Sequence, residues 1–386
     1  MGEVFKEPAA RRELFDLGEA DEYKEDINYS LKKLLDVKEN PYTRQSSAIV
    51  NAFYANVENH RIMGDDGFSE QELIEFINTN NISMLAPYMI GYFEPESIKE
   101  LTMSWWTEEM EKSALKDNPE WKGETPAVKL RLDERGNFIQ FKKSGINYFT
   151  NELIYVNDSY AISNPTVVLG SFHDDRIDIP IDGDSMIGGN IIDYSLNTPY
   201  CEDLTSSTNE IVVLRAPELQ LDGNIRNWPN ANYIHMWVAT GSFEVDSNGI
   251  PKINSSVNYP IADLKVVRSD AKNRRWVSSQ TSFIISNWKF DSQDAYIVWG
   301  SKKTSANIDV TGTVSASSGT SGNTGSLSVK VAFQSKIELV SAMSYDKCFV
   351  LKNNRDKIIQ NNLPLRNRVP VYKFGKINSY FEVQKL

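Results

Sequence analysis

Apolar residues change their spacing about a quarter of the way along the chain. Before residue 97 they recur at helical intervals. Residues 22–37 place Tyr23, Ile27, Leu31, Leu34 and Leu35 on one side, with Lys24, Glu25, Lys32 and Lys33 facing away, the stripe of an amphipathic helix. A second helix is predicted over about 44–56, with Ile49, Val50 and Phe53 on one side. The third is the best signed: Ser69 and Glu72 have capping-box spacing, and Phe68 can staple onto Leu73. It runs from Glu70 to about Asn78 with Leu73, Ile74, Phe76 and Ile77 inward. Residues 1–21 read instead as a flexible, charged tether.

After Pro95 the period becomes two. Leu101, Met103 and Trp105 alternate with Thr102, Ser104 and Trp106, a strand pattern, although an amphipathic helix through Met110 also fits. From Lys129 onward strand signals dominate, at 138–141, 153–156, 166–169, 211–214, 233–239, 283–286 and 296–299, with Asp222-Gly223 and Asn248-Gly249 as hairpin-type turns. The expected fold class is α+β: a mainly helical N-terminal unit at 22–125, then a β-rich region at 126–386 built as a sandwich or long twisted sheet.

One segment of that region stands apart. Between 306 and 338 a first arm puts Ile308, Val310, Val314 and Ala316 on one face, against Thr311, Thr313 and Ser315 on the other. A tip at 317–325 contains only Ser, Thr, Gly and Asn. The return arm repeats the alternation, with Leu327, Val329, Val331, Phe333 and Ile337 opposite Ser326, Ser328, Lys330, Gln334 and Lys336. This is a long amphipathic hairpin with a flexible tip.

Composition narrows the function classes. A net charge of −11 argues against nucleic acid as a partner, because phosphate binding needs clustered Lys and Arg. The one basic cluster, Lys265, Arg268, Lys272, Arg274 and Arg275, is broken by Asp270 and reads as a solvated loop face. No apolar run reaches the length of a spanning helix. Cys201 and Cys348 are the two cysteines, and they are expected to remain separate structural thiols. The charged start after Met-Gly has the look of an exported protein whose signal has been replaced.

Candidate chemistry is sparse. His235 alternates with Tyr233 and Trp237 and reads as a packed aromatic-face residue; His60 and His173 fall in polar stretches. No His or Cys pair has zinc-ligand spacing. Asp178, Asp182 and Asp184 make a candidate calcium set, since Asp182-Gly183-Asp184 offers two carboxylates across a tight turn. Their spacing does not match the twelve-residue calcium loop, and an acidic surface loop is the plainer reading. No other cofactor is expected. Ser113-Ala114-Leu115-Lys116 and Lys143-Ser144-Gly145 resemble penicillin-binding boxes only by chance, as the element between them is missing. Eight tryptophans could serve as stacking platforms for sugars, though a β protein buries most of its own.

The stretch 155–168, Tyr-Val-Asn-Asp-Ser-Tyr-Ala-Ile-Ser-Asn-Pro-Thr-Val-Val, resembles a phrase of exported, lipid-anchored proteins of Bacteroidota-type bacteria. Arg274-Arg275-Trp276, then Trp288 and the Ser/Thr-rich hairpin, are similar to their later part. The resemblance implies export and surface exposure. It transfers no functional residue, and the anchoring cysteine expected near the start is absent.

Two functions remain in view. One is a non-enzymatic, secreted or cell-envelope binding protein whose ligand is a surface protein or glycan. The other is an aerolysin-like β-pore-forming toxin, oligomeric and membrane-bound, in which Ile308, Val310, Val314, Leu327, Val329, Val331 and Phe333 face lipid.

Overall fold

The computed structural model describes residues 2–19, 27–35, 47–62, 69–131, 141–143, 146–148, 153–172, 198–204, 212–245, 251–278, 284–285, 288, 291–302, 309–317, 324–332 and 337–385. The chain divides into two compact units. The first comprises 1–175, 227–231 and 267–269; the second comprises 176–226, 232–266 and 270–386. Helices occupy much of the N-terminal region and antiparallel strands most of the later part, a mixed α+β fold.

The expected tether is a helix, α1 (Pro8–Glu19). Pro8 takes the first helical position, where a missing N–H is no loss. Ala10, Leu14, Phe15 and Gly18 recur on one side and are buried, so an apolar stripe lies inside the charged composition. Arg11 folds inward and donates to the Phe5 carbonyl at 2.6 Å.

The helix expected over 22–37 is also revised. Its described part splits into β1 (Ile27–Ser30) and α2 (Leu31–Leu35). Ile27, Leu31, Leu34 and Leu35 are buried as the stripe required. Antiparallel pairing with residues 83–86 claims the backbone of 27–30, and tertiary pairing overrides local periodicity. Next come α3 (Ala48–Ile62) and α4 (Glu70–Thr79). The capping box forms as spaced: Ser69 N–H donates to Glu72 at 2.8 Å, and Glu72 N–H donates to the Ser69 hydroxyl at 3.3 Å. Donation from the Ser69 hydroxyl, at 2.7 Å, and from its backbone N–H holds the Glu72 carboxyl below its ordinary pKa. The inward face is narrower than expected: Ile77 is buried, Leu73 and Ile74 are half-buried, and Phe76 is exposed. Phe68 lies outside the described residues.

The strands that follow are β2 (Ser83–Ala86), β3 (Glu100–Trp106) and β4 (Thr125–Arg131), with α5 (Glu108–Asp117) after β3. Thr107 ends the strand and caps α5, accepting from Met110 N–H at 3.2 Å, which resolves the ambiguity at 101–110. A small pair, β5 (Phe141–Lys143) and β6 (Ile146–Tyr148), precedes β7 (Leu153–Val156), α6 (Asp158–Ser163) and β8 (Thr166–Gly170). The main sheet has the order β1-β2-β8-β3-β4-β7, with β3 and β8 parallel. On one face Met84, Leu101, Met103 and Val167 join Leu14, Phe15, Val50, Phe53 and Ile77 from α1, α3 and α4 in one core.

In the second unit, β9 (Val212–Arg215) and β10 (Glu218–Leu221) precede two long strands, β11 (Asn232–Val245) and β12 (Pro251–Val266). Then come α7 (Arg268–Asn273), β13 (Trp276–Ser278), β14 (Asp294–Lys302), β15 (Asp309–Ser317), β16 (Thr324–Ala332) and β17 (Ile337–Asp346). The chain ends with α8 (Lys347–Asp356), β18 (Val371–Phe374), β19 (Ile377–Tyr380) and β20 (Glu382–Lys385). One sheet runs β13-β10-β19-β18 and a longer one β12-β11-β14-β17. Leu219, Leu221, Phe374 and Ile377 of the first share a core with Ile234, Met236, Val238, Ile297 and Trp299 of the second. Asp222-Gly223 ends β10 without closing a hairpin, because the ladder partners of β10 are β13 and β19. Asn248-Gly249 and 138–140 lie outside the described residues, as do 283 and 286, while Ile285 bridges Leu214.

The cysteines are joined, contrary to expectation. Cys201 and Cys348 form a disulfide with Cα atoms 5.2 Å apart, across a sequence separation of 147. Cys348 sits in the first turn of α8, which Asp346 caps by accepting from Phe349 N–H at 2.7 Å. Nothing local to either cysteine betrays a partner so far away in sequence.

The basic cluster is also not a uniform solvated face. Arg268, only 2 % exposed, lies in the first unit beside Asp158. Its Nε and Nη2 donate to Asp158 Oδ1 and Oδ2 at 2.8 and 2.6 Å. Nη1 donates to the Asn230 carbonyl at 2.6 Å and reaches the Asn227 carbonyl at 3.4 Å. Tyr88, held at φ 63°, donates its hydroxyl to Asp158 Oδ1 at 2.7 Å. Burial opposes the guanidinium charge, but Asp158 and Tyr88 outweigh it and hold Arg268 more basic than usual. Trp228 lies against Arg268 and donates Nε1–H to Thr125 Oγ1 at 2.9 Å. Gly123, at φ 93°, passes so close to the Trp228 backbone that any side chain there would collide with it.

Removing one partner of a buried ion pair leaves a charge without compensation. Asp158→Asn should therefore lower the unfolding free energy by about 3–5 kcal/mol, read from urea denaturation. The double variant Asp158→Asn/Arg268→Met should recover part of the loss. A single-variant effect near zero would show that the pair does not hold this unit.

Candidate functional site

Two surfaces, one in each unit, carry features beyond packing. The first lies at the β7 end of the sheet. β3 and β4 are registered with Ser104 opposite Ala127, which puts Trp105 opposite Pro126 one step on; Pro126 is opposite Tyr155 of β7. Directly opposed residues share a face, so Trp105, Pro126 and Tyr155 form one row, with Leu153 beside them. Tyr155 is 65 % exposed, Leu153 56 % and Trp105 39 %. With strands spaced roughly 4.8 Å apart, the two rings stand about 10 Å apart across Pro126. Residues of opposite parity, Ser104, Trp106, Thr125 and Val156, are buried. Exposure is therefore confined to one face.

The second surface is the ribbon. β15 pairs with β16 from Asp309↔Ala332 to Ser317↔Thr324. The antiparallel pairing is as expected, but its extent is not: Ile337 and Glu338 belong to β17, which pairs with β14. The tip is shorter too, since Ser317, Thr324 and Gly325 are in the ladder. Residues 318–323 lie outside the described residues. Val314, Val329 and Ala316 are buried and Leu327 half-buried, while Thr311, Thr313, Ser326, Ser328 and Lys330 are exposed. Val310 and Val331 are partners in the ladder; Ile308 and Phe333 lie outside the described residues.

The apolar face packs on the side of the long sheet opposite the main core. Val314 and Val329 form a cluster with Trp237, Ala239, Tyr296 and Val298. Gly312 falls on this apolar face, where a side chain would run into the Tyr296 ring. Beyond packing, Gln293 N–H donates to the Ser315 carbonyl at 3.0 Å, and Ser292 makes an isolated bridge to Ala316. Tyr296 OH reaches the Thr311 carbonyl at 3.4 Å, and the Ser344 hydroxyl donates to the Thr313 carbonyl at 3.2 Å. Near this end, burial raises the Asp294 carboxyl pKa and Asp346 adds to the rise, against hydrogen bonds from Ser315. Burial pushes the Lys347 amine down to about 8.

Of the residues singled out in the sequence, His235 lies on the ribbon-bearing face, 5.8 Å from Trp237 in a stacked arrangement. Asp178, Asp182, Asp184 and His173 lie outside the described residues, and so does the side chain of His60. Among the described residues no group of three or more His, Cys, Asp or Glu could hold a metal ion. No helix among them is long and apolar enough to cross a membrane. Trp106, Trp228, Trp237, Trp288 and Trp299 are buried, Trp121 and Trp276 are half-buried, and Trp105 is exposed. Tyr155 was legible as a strand residue but not as exposed, because its face depends on the register with β4. No protein-family model matches this chain, and neither a curated protein nor a solved structure does.

Burial lowers the His235 pKa to about 4. Between the unfolded value near 6.5 and about 4, the unfolded chain binds a proton that the folded chain does not. Stability should fall as pH drops through that window, by up to about 3 kcal/mol from this group, and level off below it. Urea denaturation at pH 7 and pH 4.5 should show a smaller pH effect in His235→Asn than in the unaltered protein. Equal pH effects in the two would contradict a buried neutral imidazole.

Proposed function

We propose that this chain is a non-enzymatic binding protein of the secreted or cell-envelope class, engaging a surface ligand through the row Trp105, Pro126 and Tyr155. The observation that carries the reading is the exposure of two aromatic rings and Leu153 on one face of a sheet otherwise packed. A localised apolar patch of this kind marks an interaction site. Flat rings about 10 Å apart suit a glycan, whose C–H faces stack on aromatic side chains. The disulfide Cys201–Cys348 supports an extracytoplasmic location.

Retention of the protein on a panel of soluble and insoluble polysaccharides tests this. Losing two stacking rings should weaken retention at least about tenfold in Trp105→Ala/Tyr155→Ala, with the melting temperature unchanged. No retention for the unaltered protein, or equal retention for the variant, would sink the reading.

A second reading is favoured by one feature of the ribbon: its ladder is its own. Each arm has nine residues, near the length of a transmembrane strand. In that reading the ribbons of several copies close into a barrel, with Val314, Leu327 and Val329 toward lipid and Thr311, Thr313, Ser326, Ser328 and Lys330 toward the lumen. Vesicles of phosphatidylcholine and phosphatidylglycerol loaded with a self-quenched dye should then leak, and heat-resistant rings should appear on detergent gels. Intact vesicles and purely monomeric protein would rule it out.

A further inference from the structure

In the long sheet, β11 and β14 are hydrogen-bonded on both sides, and β12 and β17 on one side each. The ribbon β15–β16 belongs to no such sheet: its ladder is a separate two-stranded one. It lies on the long sheet face to face, through Val314 and Val329 against Trp237, Ala239, Tyr296 and Val298. We propose that the ribbon is a releasable strap, which leaves the sheet as a unit while β12-β11-β14-β17 stays folded. Among the described residues leaving breaks no ladder of the long sheet; it gives up side-chain packing, the Ser292–Ala316 bridge and single bonds such as Gln293 to Ser315. The seat is keyed by Gly312, which the Tyr296 ring approaches too closely for any side chain. The exposed face carries Thr and Ser and needs no refolding to stay in water.

The inference deepens the second reading by supplying the step that precedes insertion, and its test contains no membrane. A free two-stranded hairpin is marginally stable in water, so each release exposes the ribbon amides to exchange. Hydrogen–deuterium exchange of the intact, disulfide-bonded protein should show the amides of 309–317 and 324–332 exchanging at least about a hundredfold faster than those of β11 and β14. A cysteine pair Gly241→Cys/Val314→Cys should slow ribbon exchange to the rate of the central strands. The geometry permits it, since a Cβ at Gly241 would stand 3.3 Å from a Val314 methyl carbon. Gly312→Leu should do the reverse, speeding ribbon exchange while leaving β11 and β14 protected, and Gly312→Leu/Tyr296→Ala should restore the slower rate. Ribbon amides in the unaltered protein that exchange only with β11 and β14 would overturn the proposal. Rapid ribbon exchange with intact vesicles would leave the strap standing and remove only the pore.

Discussion

The ion pair between Arg268 and Asp158 ties together parts of the first unit that lie far apart in sequence. A charge out of water is tolerated when it is paired and its donors are met, and Arg268 is such a charge, at 2 % exposed beside a half-buried Asp158. Asp158 accepts from Arg268 twice and from Tyr88, and Nη1 of Arg268 donates to the Asn230 carbonyl and reaches that of Asn227. The pair therefore fixes three stretches of chain at once: the start of α6, the segment 227–231 and the segment 267–269. Trp228 follows from that placement, and Gly123 follows from Trp228. Tyr88 is kept in a left-handed conformation that a bulky residue rarely adopts, where its hydroxyl meets Asp158.

What could be read in advance was what is local. The capping box of Ser69 and Glu72 formed as spaced, because both bonds lie within four residues. The alternation at 309–332 marked a ribbon and the faces of its two arms. What escaped was set by partners far along the chain. Ile27 has both helical and strand-compatible neighbours, and pairing with Ala86 decided between them. Arg268 looked like one of five surface cations until Asp158, 110 residues earlier, met it. Cys201 and Cys348 gave no local sign of each other. The ribbon ended early for a similar reason: Ile337 and Glu338 continue its alternation, but β14 offers them a ladder.

The long sheet of the second unit is asymmetric in what covers it. One face carries Ile234, Met236, Val238, Ile297 and Trp299 into a core that also holds Tyr345, Tyr372, Phe374 and Phe381, and those rings meet edge-on or tilted. The other carries a few large side chains under a two-stranded cover. Rings meeting at such angles leave little freedom to repack. A Tyr ring set against a glycine is a simpler fit, made by one residue on each side.

The dispersal of the first unit along the chain bears on the order in which it can be made. When synthesis has reached residue 175, Asp158 is present but its guanidinium is still 93 positions away from being added. Until residue 228 has emerged, Thr125 lacks the indole that donates to it, and until residue 268 has emerged, Asp158 lacks its cation. The main sheet, whose strands all fall within 27–170, has its strand partners before then, but the polar cluster at Asp158 is completed by a late-made piece. Both long strands of the second unit, β11 and β12, are thus made before the first unit receives its last residues.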